Sequence, residues 1–214
     1  MMDDFAAERH QMVELQINRR GLHEPRLIAA FEQVPRHCFV PEGVRYAAYD
    51  DMPLPIGYDQ TISQPYIVAL MTSLLELNGD ERILELGTGS GYQAAILGNL
   101  AAEVHTLELV PELGEAADRL LRELGYTNVH VHIGDGSLGW SPAAPYPGII
   151  AAAAAPEVPR PLLEQLAEGG RLVLPVADRQ NQLLKVFTRR QNEYVERVVT
   201  SVAFVPMRGK YGWE

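Results

Sequence analysis

One ten-residue run constrains this chain more than any other. Ile83-Leu84-Glu85-Leu86 is a short apolar strand that ends directly in Gly87-Thr88-Gly89-Ser90-Gly91. Tyr92-Gln93-Ala94-Ala95 then opens a helical stretch. A strand that breaks at glycines and re-emerges as a helix is half of a crossover unit. It commits the chain to a parallel sheet covered by helices. Glycine lets the backbone turn tightly and lets a ligand approach it closely. The helix start adds N–H groups and a positive dipole end, which favour a negative group. Glu108 closes the next strand, 17 residues beyond Gly91. A carboxylate at such a position suits two hydrogen bonds from ribose hydroxyls. Alone, the glycine triplet is only a turn; with strand, helix and acid it marks a nucleoside-cofactor site.

Glycine spacing separates two cofactor classes. The dinucleotide fingerprint is Gly-x-Gly-x-x-Gly. Here Tyr92 holds the third-glycine position and Gly91 comes one residue early. That spacing, with Glu85 inside the strand end, resembles the S-adenosylmethionine loop of class I methyltransferases. Gly134-Asp135-Gly136, after the third strand, resembles their adenine-contacting loop, although alone it reads as a turn. The resemblance makes Glu85, Gly87, Thr88, Gly89, Ser90, Gly91, Glu108, Leu109, Gly134, Asp135 and Gly136 the expected cofactor contacts. Glu85 would organise the site around the methionine moiety; its plainer reading is a carboxylate satisfied by nearby backbone N–H groups.

The rest of the chain agrees with this frame. Phe5, Met12, Leu15 and Ile17 lie on a 3–4 spacing that Gly21 stops. Pro25 opens a helix over 26–34 with Leu27, Ile28, Phe31 and Val34 as its apolar stripe, and Pro35 ends it. Residues 37–58 read as a structured loop and 65–77 as a third helix. Strands are predicted over 82–86, 103–107, 128–133, 146–153 and 170–176, with helices over 92–100, 111–124 and 160–166. Two late strands, 183–189 and 195–204, join near Gln191-Asn192-Glu193. The expected fold is α/β: a doubly wound, mostly parallel sheet with helices on both faces, an N-terminal helical cap and antiparallel C-terminal strands. It is read as one domain: 1–79 helices and substrate loop, 80–180 cofactor-binding core, 181–214 terminal strands.

Composition narrows the function. With 18 Lys+Arg against 28 Asp+Glu, the net charge of −10 argues against a nucleic-acid partner, which needs clustered cations. The lone Cys38 cannot form an internal disulfide and reads as packed. The charged start, MMDDFAAERHQ, lacks the apolar run of an export signal, and no apolar stretch approaches the ~20 residues of a membrane helix. A cytoplasmic chain with no membrane partner is expected. His130 and His132 alternate on one strand face, and without a third ligand they read as a packed or solvated pair; no metal is expected.

A second run, Leu54-Pro55-Ile56-Gly57-Tyr58-Asp59-Gln60-Thr61-Ile62-Ser63-Gln64-Pro65-Tyr66, is by composition a Gly/Pro-punctuated loop with cap hydroxyls. It resembles the signature of protein-L-isoaspartate O-methyltransferases. So do Arg36-His37-Cys38-Phe39-Val40-Pro41, Ala153-Ala154-Ala155-Pro156, Gly169-Gly170-Arg171-Leu172-Val173 and Val202-Ala203-Phe204-Val205-Pro206, in family order. The resemblance covers essentially the whole chain. It implies methyl transfer from S-adenosylmethionine to the free carboxylate of L-isoaspartyl residues in damaged proteins and peptides, starting repair through a succinimide. A monomer is expected. Ser63 is the expected catalytic residue, holding the substrate carboxylate. Asp59, Thr61 and Ile62 would share its pocket, and Gln60, Thr61 and Ser63 would also border the cofactor. The C-terminal Tyr211 or Trp213 would cover the site. A carboxylate with pKa ~4 is ionised at neutral pH, so no general base is needed. The absence of any Ser/His/Asp arrangement agrees.

Three positions depart from the family pattern. Asp59 stands where glycine is usual, and an acid there crowds or repels a carboxylate. Pro147 stands where an acid is usual and should delay the fourth strand by a residue or two. Ala151 and Ala152 replace bulkier residues. Alternatives are a class I methyltransferase for another acceptor, a cofactor-binding protein with weakened activity, and, more distantly, a dinucleotide oxidoreductase.

Overall fold

The computed structural model describes residues 5–177, 181–191 and 193–213. Helix α1 (Ala6–Met12) widens into a π-turn at Val13–Ile17 and a 3-10 turn at Asn18–Arg20, and left-handed Gly21 (φ 92°) stops it. The π-turn shifts the helical phase. Met12, Val13 and Ile17 are buried, while Leu15, expected on the apolar stripe, is 41% exposed. Helix α2 (Pro25–Gln33) starts at a proline whose missing N–H costs nothing there. The Glu24 carboxylate accepts from Arg26 N and Leu27 N, and Leu27, Ala30 and Phe31 face the core.

The signature run folds as a hairpin, β1 (Leu54–Gly57) and β2 (Gln60–Ile62), where sequence suggested only a loop. Tyr58 and Asp59 form its two-residue turn with φ of 54° and 57°. Two left-handed residues in a row make the hairpin turn that favours glycine or asparagine. Asp59 is therefore a turn residue, exposed at the tip. Asp59→Gly removes a Cβ from a left-handed position, partly offset by the flexibility glycine adds to the unfolded chain. It should raise Tm by roughly 1–3 °C. Methylation of a short isoaspartyl peptide should be unaltered; faster turnover would restore the side chain to the substrate pocket.

Helix α3 (Pro65–Ser73) ends before the expected Leu77. Strand β3 (Arg82–Leu86), helix α4 (Tyr92–Gly98), strand β4 (Glu103–Glu108), helix α5 (Pro111–Glu123) and strand β5 (Val129–Ile133) follow the sequence reading within two residues. Strand β6 (Tyr146–Ala151) begins at Tyr146 despite Pro147. The ladder skips the proline, pairing Tyr146 with Leu166 and Gly148 with Arg171, so its missing N–H breaks no bond. Helix α6 (Arg160–Glu164) is shorter than expected because Leu166 already opens β7 (Leu166–Ala177). Strands β8 (Gln182–Arg190) and β9 (Glu193–Val202) complete the sheet; of the expected connection, Asn192 lies outside the described residues.

The seven strands order as β5-β4-β3-β6-β7-β8-β9. The first five are parallel, and β8 and β9 run antiparallel. This is the doubly wound, Rossmann-like α/β sheet the sequence implied. Both faces of β3 are buried. Ile83 joins a core with Phe31, Tyr92 and Ile96, and Leu84 joins one with Ile149 and Leu172. After β5 the chain returns to the other side of β3. The order thus reverses between β3 and β6, and in such sheets the crevice beyond the strands' carboxyl ends at that point receives ligands. No helix among the described residues is long and apolar enough to cross a membrane.

Candidate functional site

A crevice of about 360 Å³ opens at that reversal. Gln60, Thr61, Ile62, Ser63, Gly87, Thr88, Gly89, Ser90, Glu108, Leu109 and Gly136 line it, all expected from sequence. Asp59, Glu85, Gly91, Gly134 and Asp135, also expected, are not among its lining residues. Asp59, Glu85, Gly91 and Asp135 each have a physical reason for their place.

Gly91 is the left-handed residue before α4, and a Cβ there would sit 3.3 Å from Leu121 Cδ1. It lets α4 pack on α5. Gly89 is left-handed too, and a Cβ there would lie 3.2 Å from Ile56 of the hairpin. The N–H groups expected to greet an anion are mostly taken. Gly87 N and Thr88 N donate to Leu107 O (2.8 and 3.2 Å), Gly89 N to Glu108 Oε2 (2.8 Å) and Gly91 N to Thr88 O (2.8 Å). The loop therefore offers close approach rather than a row of free donors. A pyrophosphate needs such donors; a cofactor without phosphate does not.

Glu108, at the end of β4, is 6% exposed. Oε2 takes the Gly89 N–H and Oε1 the Val110 N–H at 2.9 Å. A carboxylate has about four acceptor sites, so two remain for a diol.

Glu85 lies under the loop, fully buried, and neither carboxylate oxygen has a hydrogen-bond partner. Burial, helped by the nearby Glu108 charge and partly opposed by the Thr106 hydroxyl, pushes its pKa up to about 8. Such a group is expensive unless it is protonated or meets a cation. The ammonium of an amino-acid moiety is a cation of the right kind. These residues fit S-adenosylmethionine: a carboxylate with lone pairs for the ribose, a close-approach loop, and an orphaned acid suited to the methionine end.

Asp135 is occupied by the protein. Oδ1 accepts from Ser137 N (2.9 Å) and Ser137 Oγ (2.6 Å), and Oδ2 from Lys210 N (2.7 Å). The carboxylate pins the C-terminal segment to the turn after β5, leaving Gly136 and Ser137 to line the crevice. The C-terminal contribution differs from expectation in detail. Val205–Arg208 form the wall, whereas Tyr211 and Trp213 anchor the end through Tyr211 N to Ser137 Oγ (3.1 Å) and Trp213 Nε1 to Ala154 O (3.0 Å).

Beside the crevice runs a groove of about 720 Å³ between the hairpin, α3 and the end of β9. Thr61, Ser63, Ala152, Phe204 and Val205 border both spaces. Ser63 is half-buried at their junction, and its hydroxyl has no hydrogen-bond partner among the described residues. Its backbone is fixed from behind by Arg36, which is fully buried. Arg36 Nη2 donates to Ser63 O (2.7 Å), Nε donates to Ala48 O (2.8 Å), and Cζ lies 4.7 Å over the Tyr92 ring. Burial holds its pKa below the usual arginine value. One side chain thus ties the N-terminal cap, the hairpin exit and the first residue of α4. Sequence reasoning missed this because it weighed Arg36 only as part of a motif, and burial is not a local property.

His130, His105 and His132 form a row of adjacent rings across β4 and β5. His105 Nδ1 lies 3.0 Å from His132 Nε2, Glu103 Oε1 lies 3.3 Å from His105 Nε2, and His132 stacks on Trp140 at 4.0 Å. Burial lowers the pKa of His105 and His132. Among the described residues no group of three or more His, Cys, Asp or Glu is placed to hold a metal ion. Cys38 is half-buried against the core.

The family model for protein-L-isoaspartate(D-aspartate) O-methyltransferase matches residues 7–212. A protein-L-isoaspartate O-methyltransferase of Methanoregula boonei is 53% identical over 207 residues, covering 97% of this chain and 95% of that one. Protein-L-isoaspartate O-methyltransferase 1 of Syntrophobacter fumaroxidans is 50% identical over the full length of both chains. A solved protein-L-isoaspartate O-methyltransferase superposes with a TM-score of 0.88 at 28% identity, over 95% of this chain and 67% of that one. A putative one from Plasmodium falciparum, solved with S-adenosyl-L-homocysteine, shares the fold with a TM-score of 0.82 at 23% identity, over 94% of this chain and 98% of that one.

Proposed function

The chain belongs to the protein-L-isoaspartate(D-aspartate) O-methyltransferase family, and from that membership we infer a carboxyl methyltransferase that acts on isoaspartyl residues of damaged proteins and peptides. Its cofactor is S-adenosylmethionine, which when bound supplies an electrophilic methyl group on a sulfonium sulfur. The observation that carries the reading is the junction at Ser63. There a crevice suited to a phosphate-free nucleoside meets an open groove across one unengaged hydroxyl.

The protein's own task is positional. The acceptor carboxylate arrives ionised, so no base has to remove a proton. Ser63 would donate a hydrogen bond to one oxygen of the acceptor carboxylate and so leave the other oriented toward the bound cofactor. Arg36 keeps Ser63 in place. Thr61 and Ile62 shape the pocket, and Gln60, Gly87, Thr88, Gly89, Ser90, Leu109 and Gly136 close on the cofactor. In the methylated peptide the following backbone amide nitrogen attacks the ester carbonyl and expels methanol, and water reopens the resulting succinimide partly to normal aspartate. The reading extends to a monomer in the cytoplasm with no nucleic-acid partner; the net charge of −10 supports the last of these.

The decisive assay offers labelled S-adenosylmethionine to matched peptides carrying isoaspartate or aspartate at one position. Label should enter only the isoaspartyl peptide. Equal labelling, or labelling of neither, overturns the assignment. Ser63→Ala should lower kcat/KM about 10- to 100-fold, the worth of one hydrogen bond to a charged group, with cofactor affinity kept. An unchanged kcat/KM removes Ser63 from the mechanism.

A further inference from the structure

Among the described residues that line the groove beside Ser63, one side chain is charged, and it is a cation: Arg20. Every other lining residue is neutral, in a chain whose acids outnumber its bases by ten. Arg20 is also held still. Its Cζ lies 3.4 Å over the Tyr66 ring, and Nη1 donates to Asp51 Oδ2 at 2.7 Å. Tyr66 lines the groove with it, on α3, which starts two residues after Ser63. Asp51 is not a lining residue, so it braces the guanidinium from outside the groove. Nε and Nη2 have no partner among the described residues. A planar guanidinium stacked on a ring and pinned at one nitrogen loses little freedom when its remaining donors meet a carboxylate.

We propose that Arg20 forms a subsite for a second carboxylate on the substrate, beside the one that is methylated. This rests on the isoaspartyl reading and adds substrate preference to it. The carboxylate comes from an aspartate or glutamate flanking the isoaspartyl residue, or from a free peptide C-terminus close to it. The subsite selects among damaged segments by charge, where a groove of neutral residues and backbone would not.

The test is a panel of isoaspartyl peptides that differ at one flanking position: glutamate, glutamine or lysine. Each is made with an amidated C-terminus, and the glutamine peptide also with a free one. Methylation is compared for the wild-type chain, Arg20→Gln, Arg20→Lys and Arg20→Glu, and the quantity read is the ratio of kcat/KM between peptides. The wild type should favour glutamate over lysine by about tenfold, mainly through KM, and the ratio should shrink as salt rises. Arg20→Gln should bring it near one, Arg20→Glu should invert it, and Arg20→Lys should retain part of it. A free C-terminus that substitutes for the glutamate identifies the general carboxylate site; glutamate alone identifies a side-chain site. Equal rates on all flanks in the wild type, or a preference that survives Arg20→Glu, overturn the subsite while leaving isoaspartyl methylation standing. Methylation of no isoaspartyl peptide overturns both.

Discussion

Replacing Glu108 by alanine should raise the dissociation constant for S-adenosylmethionine by a factor of about 100 to 10,000. The proposed contact is a pair of hydrogen bonds from ribose hydroxyls to a nearly buried carboxylate, each worth about 1.5–3 kcal/mol, and 1.4 kcal/mol is a factor of ten. The carboxylate also accepts the N–H groups of Gly89 and Val110, so alanine additionally loosens the loop that approaches the nucleoside. Glutamine separates the two effects. It keeps one acceptor oxygen and the side-chain shape, so Glu108→Gln should fall between wild type and alanine, near tenfold. Calorimetric titration with S-adenosylmethionine reads both. Affinity unaltered in Glu108→Ala would place the ribose elsewhere, and equal losses in both variants would show that charge, not acceptor count, is what matters.

The second large effect belongs to Glu85. Its carboxyl group is raised from 4.5 to about 8 in the fold because it is buried without a partner. The folded chain therefore holds a proton that the unfolded chain releases above pH 4.5. The group's contribution to stability is fully present below pH 4.5 and is lost progressively as pH rises through 8. The shift corresponds to about 3–5 kcal/mol across that window. Glu85→Gln does not titrate, so its Tm relative to wild type should climb between pH 5 and pH 8 and level off above that, without cofactor. A constant difference across that range would show that Glu85 does not carry the raised pKa. The same substitution should weaken binding of S-adenosylmethionine, because a neutral amide cannot compensate an ammonium. Gained high-pH stability with lost affinity would mark an acid kept for function at a cost to the fold, a common pattern at active sites.

Much of this site was legible along the chain because its elements are local. The run 83–92 encodes a strand, a turn and a helix in ten consecutive residues, and β3 and α4 begin where the residues say. The hairpin hid behind its composition. Tyr58 and Asp59 carry no local mark of two left-handed residues, and glycine, which would have announced them, is absent at 59. Gly91 and Asp135 show the opposite case. Their motif resemblance is strong, yet one serves helix packing and the other holds the C-terminal segment, since both tasks depend on neighbours distant in sequence.

By itself the sequence determined the fold class, the glycine loop with its acid, and the family to which the motifs point. Each of these follows from period, spacing or residue type within short stretches, where local geometry leaves few choices. Tertiary structure alone decided which loop N–H groups remain open, that Glu85 is buried without a partner, that Arg36 sits behind Ser63, and that Arg20 is the one charge facing the groove among the described residues. Those facts depend on burial and on contacts between segments tens of residues apart, and they arise only when the sheet closes and excludes water from its faces.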